Sequence, residues 1–389
     1  MRSTLACSVL ILWLQVIGTF FSDATAIEVA DLQFTELNKQ DGLSNTVVLD
    51  VAEDNKGYIW LATMNGLNRY SGYDIQQYHP SDIDPNALPS GLIHKLLVND
   101  NGDLWVGTHS GLAKYRPLTD DFERFTKDNT VMKFDSVMAL AQGESGEILF
   151  TDPKYLYSLD PKTGVVKIVT QLYSTPVGTR VIFDEPNRIW VGSNQNFALI
   201  YDKSSGTLYQ SDQINPWGIF LTDTTVNDIK ILDNHYWLAT DNGVIVLAAN
   251  GNVVNHIKFS EFGSDSHVLI TAILTVGNRL WLSSKNDGVL IADFIDNPST
   301  QLDGSSFTRI NADNGQLTGL TEDFIFSLHE DRSGSVWLAT SQGAFKYNKT
   351  YSQVKFFPST STQQSSAESA IIWGLAESRD NSVFFASQQ

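Results

Sequence analysis

The chain has 389 residues, of which 42% are hydrophobic and 18% charged, and its formal net charge is −18. This apolar content is enough for a large core and excludes a disordered acidic protein. The negative charge excludes nucleic acid as a partner, because binding to phosphate needs a basic surface, and it argues against docking on anionic lipid.

The first 26 residues have the pattern of a secretory signal peptide. Arg2 precedes an apolar stretch over residues 9–21, and residues 24–26 form an A-x-A cleavage site. We predict cleavage after Ala26 and a periplasmic location, with an uncleaved anchor as the alternative. Cys7 is the single cysteine, so the mature chain has no disulfide. No later apolar run is long enough to span a membrane.

Residues 32–37, which follow the signal peptide, have the pattern of an outer β-strand. The segment stands alone, ahead of the first copy of a repeated motif. We predict that it closes a ring of sheets by pairing with residues 344–347 near the end of the last complete repeat. Such a closure removes the exposed edges of the first and last sheets.

The repeated motif is a turn residue, an apolar residue, a tryptophan and a small residue. Its tryptophan position falls at residues 60, 105, 149, 190, 237, 281, 337 and 384, with leucine at 149 and phenylalanine at 384. Three residues earlier every copy has Gly or Asn, as a tight hairpin turn requires. Two residues later every copy has a small residue, which lets neighbouring sheets approach.

A repeat of about 40–45 residues in an all-β sequence predicts a β-propeller with one four-stranded blade per repeat. We expect an inner apolar strand A, the tryptophan strand B, a strand C after a short turn, and a weaker outer strand D. Seven copies are complete. The predicted fold is therefore an all-β, seven-bladed β-propeller of four-stranded antiparallel blades.

Residues 370–386 begin an eighth repeat, and the sequence stops before its third strand. The predicted organisation is a signal peptide (1–26), a propeller (27–358) and a truncated eighth repeat (359–389) that starts a second propeller. Half a blade leaves unpaired edges. We therefore expect the chain to be the N-terminal part of a longer polypeptide.

The first repeat contains Asp41-Gly42-Leu43-Ser44-Asn45, followed by Asp54–Thr63 and Gly66–Tyr70. These residues resemble the two-component regulator propeller family, and the resemblance extends over about residues 30–389. It implies a periplasmic sensor with two propellers, a β-sandwich, a transmembrane helix and a histidine kinase or diguanylate cyclase output. It also implies an oligosaccharide or other small ligand and a homodimer of the full-length protein. None of the output motifs is present, so no output residue is carried over.

We find no recognisable catalytic motif in this sequence. None of the seven histidines has a metal-ligand spacing, and there is neither a G-x-S-x-G elbow nor a P-loop. We predict no catalytic residue, no metal and no cofactor, and we do not expect this chain to be an enzyme. Asp54 and Asp331 resemble the Asp-box turns of sialidases, but capping of a hairpin turn is the interpretation we favour.

Propeller ligands usually bind where the D-to-A connections meet the central channel. Trp217 and Phe220 are aromatic residues in a long connection outside the repeat, and aromatic rings can stack on sugars. We predict them as ligand contacts. Asp223, His267 and Asp323, near the starts of A strands, are further candidates.

The predicted function is signal perception, by ligand or partner binding outside the cytoplasm. Two alternatives stay open, since fold alone does not decide function. A propeller hydrolase or lyase, sialidase-like or streptogramin-lyase-like, needs a cluster of histidines, acids or arginines at the channel mouth. A protein-interaction scaffold needs an apolar patch on one face.

Overall fold

The computed structural model describes residues 29, 32–127, 134–195, 197–259, 268–294 and 298–348, and the backbone of 371–377 and 383–388. The chain divides into two compact units, Met1–Gln353 and Val354–Gln389. Within the described part of the first unit, the strands form seven four-stranded sheets, and every strand pair in them is antiparallel. The predicted seven-bladed propeller is confirmed.

The strands follow the predicted order A to D from the inner to the outer edge of each sheet. Strand β1 (Phe34–Leu37) precedes the blades. Blade one has β2 (Val48–Glu53), β3 (Ile59–Thr63), β4 (Gly66–Tyr70) and β5 (Ile75–Tyr78). Blade two has β6 (Ile93–Val98), β7 (Leu104–Thr108), β8 (Gly111–Arg116) and β9 (Asp121–Phe125). Blade three has β10 (Ala139–Gln142), β11 (Ile148–Thr151), β12 (Tyr155–Leu159) and β13 (Val166–Gln171).

Blades four to seven continue the same order. Blade four has β14 (Thr179–Asp184), β15 (Arg188–Ser193), β16 (Leu199–Asp202) and β17 (Thr207–Gln210). Blade five has β18 (Val226–Leu232), β19 (His235–Thr240), β20 (Gly243–Leu247) and β21 (Val253–Ile257). Blade six has β22 (Ile270–Val276), β23 (Arg279–Ser284), β24 (Val289–Asp293) and β25 (Thr308–Ile310), with the short helix α1 (Pro298–Gln301) before β25. Helix α2 (Gly315–Thr318) leads to blade seven, which has β26 (Ile325–Glu330), β27 (Val336–Thr340) and β28 (Gly343–Tyr347).

The ring closes through the N-terminal strand. Strand β1 pairs antiparallel with β28, in a register that sets Phe34 opposite Tyr347 and Leu37 opposite Ala344. It therefore supplies the outer strand of blade seven, as the sequence predicted. The closure ties the start of the propeller to its last blade without leaving β28 as a free edge.

The core lies in the seams between neighbouring blades. The six tryptophans of the repeat are at most 1% exposed. Trp60 of blade one packs with Ile93 and Val106 of blade two, and Trp337 of blade seven packs with Leu61 of blade one. Burial at about 25 cal/mol per Å² of apolar surface makes each seam a major source of stability.

The small residue after each tryptophan is needed because adjacent blades approach closely there. A Cβ atom on Gly192 would lie 2.3 Å from the carbonyl oxygen of Val226, in the inner strand of the next blade. A larger side chain would force the two backbones apart.

The second unit contains β29 (Ile371–Glu377) and β30 (Val383–Gln388), which pair antiparallel. These are the two strands predicted for the eighth repeat. The predicted signal peptide lies outside the described residues. In the part of the chain that the structure describes, we find no helix with the length and apolar character needed to cross a bilayer.

Candidate functional site

The seven A strands surround a central channel with a cavity volume of about 550 Å³. Because successive strands of a blade run in opposite directions, the turns between them lie on two opposite faces of the propeller. The B–C turns and the D-to-A connections lie on one, called the B–C face below, and the A–B and C–D turns lie on the other. Lys285, in the B–C turn of blade six, and Phe324, just before β26, line the cavity, so it extends to the B–C face.

Six of the seven A strands in the described chain contain a β-bulge. In each of them, the residue that directly follows the first paired residue has no partner in strand B. A bulge inserts an unpaired residue and re-aims a side chain. Each bulged residue lines the channel: Leu49, His94, Arg180, Asn227, Thr271 and Phe326. The bulges therefore place six side chains of different chemistry around the channel, near the B–C face.

The acidic groups beside the channel are held by neighbouring blades. Asp50 is 3% exposed. Its carboxylate accepts hydrogen bonds from the Leu96 amide at 2.9 Å, the Lys95 ammonium at 3.2 Å and the Ser327 hydroxyl at 2.7 Å. Burial lowers the pKa of Lys95, but the carboxylates of Asp50 and Asp228 outweigh burial and raise it. Asp50 thus joins blades one, two and seven.

Asp228 occupies the corresponding position in blade five. In the strand register, Asp50 lies opposite Ala62 and Asp228 lies opposite Ala239. Each of these alanines is the small residue of its repeat. The Asp228 carboxylate accepts a hydrogen bond from the Ile273 amide of blade six at 3.0 Å, and Lys230 lies 3.9 Å away. Both acids thus bind the next blade.

Two cations of the channel have no such partner. The side chains of Arg180 and Lys285 make no ion pair and no hydrogen bond within the described residues, and both are exposed to the cavity. The Lys285 Nζ atom lies 5.6 Å from the centre of the Phe324 ring. Phe324 and Phe326 are stacked, with ring centres 4.4 Å apart. The channel mouth therefore combines unpaired positive charge with a flat aromatic surface.

A histidine pair lies at the same end of the channel. The ring centres of His94 and His109 are 5.9 Å apart. The buried Nε2 atom of His94 has no hydrogen-bond partner in the described chain. Burial lowers the pKa of His94, and the neighbouring His109 lowers it further. No three His, Cys, Asp or Glu side chains of the described ranges are grouped closely enough to hold a metal ion.

The structure disperses the residues that we predicted as ligand contacts. Trp217 is half-buried in the seam between blades four and five, with its ring 5.1 Å from the Arg188 guanidinium carbon and 5.8 Å from the Tyr209 ring. It does not line the channel cavity. Phe220 is 61% exposed on the same connection.

The remaining candidates lie elsewhere. Asp223 is exposed, with a left-handed backbone (φ 48°). Asp323 belongs to the connection between blades six and seven, where its carboxylate accepts a hydrogen bond from the Ala312 amide at 2.7 Å and burial raises its pKa. His267 lies outside the described residues. These five positions stay predictions; among them Asp323 is next to a channel residue, Phe324.

The Asp-box-like turns have a structural role. Asp54 accepts hydrogen bonds from the Lys56 and Tyr58 amides, which caps the A–B turn as we expected. Its second carboxylate oxygen accepts a hydrogen bond from the Trp60 indole at 2.8 Å, and Asp331 binds the Trp337 indole at the same distance. The indole bond was not predicted, although the six-residue spacing from Asp to Trp could have indicated it.

Comparison with known proteins agrees with the predicted resemblance. The model of the family "Two component regulator propeller" matches residues 42–65 and 319–342, which contain the two Asp–Trp pairs. A stretch of 73 residues is 25% identical to histidine kinase P4 of Formosa agariphila, and it covers 19% of this chain and 5% of the kinase.

Solved structures share the fold. The extracellular domain of a protein assigned to a hybrid two-component system of B. thetaiotaomicron superposes with a TM-score of 0.68 at 17% identity, covering 91% of this chain and 46% of that one. Virginiamycin B lyase of Staphylococcus aureus superposes with a TM-score of 0.59 at 15% identity, covering 82% of this chain and 99% of the lyase. The chain thus spans less than half the length of the kinase and of the extracellular domain that it matches.

Proposed function

We propose that this chain, which carries two-component regulator propeller repeats, is the ligand-perceiving propeller of a bacterial receptor and acts outside the cytoplasm. The observation that carries the proposal is the channel mouth, where Arg180 and Lys285 have no ion-pair partner among the described residues and line the same cavity as the stacked Phe324 and Phe326 rings. Concave sites with a few convergent polar groups among apolar walls are typical of small-molecule binding.

The whole receptor would be longer than this chain. The extracellular domain of known structure is about twice as long, and the relative in the kinase class is far longer still. We propose that the eighth repeat starts a second propeller, that a kinase or cyclase domain supplies the output, and that two copies of the receptor associate. Because a closed propeller is stiff, ligand binding would act through rearrangement of the two subunits.

Binding is favoured over catalysis by the state of the channel acids. A general base must have a lone pair within reach of the substrate. Asp50 is buried and already accepts three hydrogen bonds, and Asp228 accepts one from the next blade. The channel carboxylates therefore serve the contacts between blades. The imidazoles of His94 and His109 lie at the same end of the channel, and the lyase test below examines whether they support catalysis.

The test is a ligand screen of the purified 389-residue chain. Thermal unfolding is measured against a panel of neutral and acidic oligosaccharides and small aromatic acids, and each compound is analysed by liquid chromatography afterwards. We expect a saturable rise in Tm with the compound recovered unchanged, because a ligand at 100 times its Kd stabilises by about 2.7 kcal/mol. Conversion of a compound, or no rise with any of them, would contradict the proposal.

The lyase alternative is tested in the same experiment. Quinupristin, the compound bound in the structure of an inactive virginiamycin B lyase, is incubated with the chain, and its chromatographic retention is followed. We expect no change in retention over hours. A new peak that requires the folded protein would replace the sensor proposal by an enzymatic one.

A further inference from the structure

The channel has the opposite charge to the rest of the protein. Four cationic side chains line it: Lys95, Arg180, Lys230 and Lys285. The acids beside them are Asp228, which lines the cavity, and Asp50, which contacts Lys95. The formal net charge of the chain is −18. A positive cavity in an acidic protein attracts anions locally, while the outer surface repels them.

Ion pairs within the protein neutralise only part of this positive charge. Lys95 is paired with Asp50, and Lys230 lies near Asp228. Arg180 and Lys285 are left without an acidic partner among the described residues. An unpaired guanidinium or ammonium at a cavity wall is a strong donor for a carboxylate or sulfate.

The acids on the connections next to Lys285 and Phe324 are engaged elsewhere. Glu322 accepts hydrogen bonds from the amides of the two following residues. Asp323 accepts one from the Ala312 amide. Asp287, which follows Lys285 in the same turn, forms an ion pair with Arg309 at 3.1 Å. None of these carboxylates is within ion-pair distance of Lys285.

The aromatic surface adds a second requirement on the ligand. The Phe324 and Phe326 rings are nearly parallel, at 28°, and both line the cavity. Lys285 lies over the Phe324 ring. A ligand that uses both features needs a flat or ring-shaped body and a negative group at its edge.

We propose that the channel mouth binds a small organic anion that contains a ring, with its acid group attracted by Arg180 and Lys285 and its ring against Phe324 and Phe326. This inference rests on the proposed sensor function and specifies the ligand class of that site. The cavity of about 550 Å³ accommodates a ligand of this kind. Acidic sugars and aromatic acids share this chemistry, and the experiment distinguishes them.

The experiment is calorimetric titration of the purified 389-residue chain with two acids and their neutral counterparts. The probes are trigalacturonate with galactotriose, and 4-hydroxybenzoate with 4-hydroxybenzamide. We expect one of the acids to bind at least about tenfold more tightly than its neutral counterpart, and added salt to weaken that binding. Which acid binds identifies the source of the anion.

Three variants test the residues. Arg180→Gln and Lys285→Gln are each expected to weaken binding of that acid about tenfold. Lys167→Gln is the matched control, because Lys167 is an exposed cation on the outer strand β13, away from the channel, and it should bind like the wild type. Circular dichroism and Tm verify that each variant is folded.

The possible results distinguish failure of the anion inference from failure of the sensor proposal. Equal affinity for an acid and its neutral counterpart, or unchanged affinity in both channel variants, would overturn the anion inference. If neither acid binds but a neutral compound of the panel raises Tm, the inference fails and the sensor proposal stands. If no compound of any class binds, both fail.

Discussion

The seams between blades and the central channel use the same repeat in opposite ways. In the seams, one position carries tryptophan in six of the seven complete repeats, and all six are at most 1% exposed. In the channel, the bulged position has the same geometry in six blades but a different residue in each: Leu49, His94, Arg180, Asn227, Thr271 and Phe326. The tryptophan position, which keeps the same residue, holds the ring together. The bulged position keeps only its geometry, so its side chains can be suited to a particular ligand.

The two regions also differ in how their polar groups are paired. In the seams, the indoles of Trp60, Trp190 and Trp337 donate to carboxylates. The other three indoles, of Trp105, Trp237 and Trp281, have no partner among the described residues, but they are neutral and buried away from solvent. At the channel mouth, Arg180 and Lys285 keep their charges without a partner in the described chain. Satisfied polar groups stabilise a fold, and unsatisfied ones at a cavity are available to a ligand. Seam variants should therefore change stability, and channel variants should change binding.

The largest effect is expected for Trp337→Ala. This side chain is 1% exposed and fills the seam between blades seven and one, where the ring closes. Loss of a buried aromatic side chain should lower the unfolding free energy by about 3–5 kcal/mol, as measured by urea denaturation. Phe220→Ala, at a residue 61% exposed, is the control and should stay within about 0.5 kcal/mol of the wild type. Equal losses in both would contradict the role of the seam.

A smaller effect is expected for Asp331→Asn, at about 1–3 kcal/mol, because an amide replaces a carboxylate that accepts from Trp337 and from two backbone amides. Burial raises the pKa of Asp331, but hydrogen bonds from Ser333, Trp337 and Ser335, with the charge of Lys346, lower it overall. A depressed pKa means that this stability is present above the unfolded value of about 3.9 and is lost as pH falls below it.

Urea denaturation at several pH values checks this sign. The difference between wild type and Asp331→Asn should be full at pH 7 and should shrink below about pH 4. Asp82→Asn, at an exposed carboxylate, serves as the control and should show little difference at either pH. A difference that grows on acidification would refute the assigned role of the Asp331 carboxylate.

The smallest effect on stability is expected at the channel mouth. Replacing Arg180 and Lys285 together by glutamine removes two exposed charges that contact no acid in the described residues. The unfolding free energy should change by less than about 0.5 kcal/mol. A loss comparable to that of Asp331→Asn would place these cations among the structural residues and remove the contrast between seam and channel.

The architecture was predictable because each blade repeats the same local requirements. The Gly or Asn turn, the tryptophan and the small residue mark strand B in nearly every repeat, and the leftover strand at Phe34–Leu37 has the right place in the chain to close the ring. The close approach at Gly192 gives the physical reason for the small residue. Local chemistry and ring geometry agree at these positions.

The site was harder to predict because two of its determinants are not periodic. A bulge adds a residue to an apolar strand without changing its composition, so Leu49 or Phe326 is indistinguishable in sequence from its paired neighbours. The path of a long loop is equally difficult to predict from the sequence. The connection with Trp217 folds back on itself, with the Leu221 amide bonded to the Ser211 carbonyl, and Trp217 packs in a seam.

The contrast between seam and channel is tested most directly by one paired measurement on the Arg180→Gln, Lys285→Gln double variant. The unfolding free energy and the Kd for the acid that binds the wild type are determined on the same preparation. We predict an unfolding free energy within about 0.5 kcal/mol of the wild type and an affinity at least about tenfold weaker. Unchanged affinity, or a loss of affinity matched by a loss of stability, would contradict the assignment of the channel mouth as the binding site.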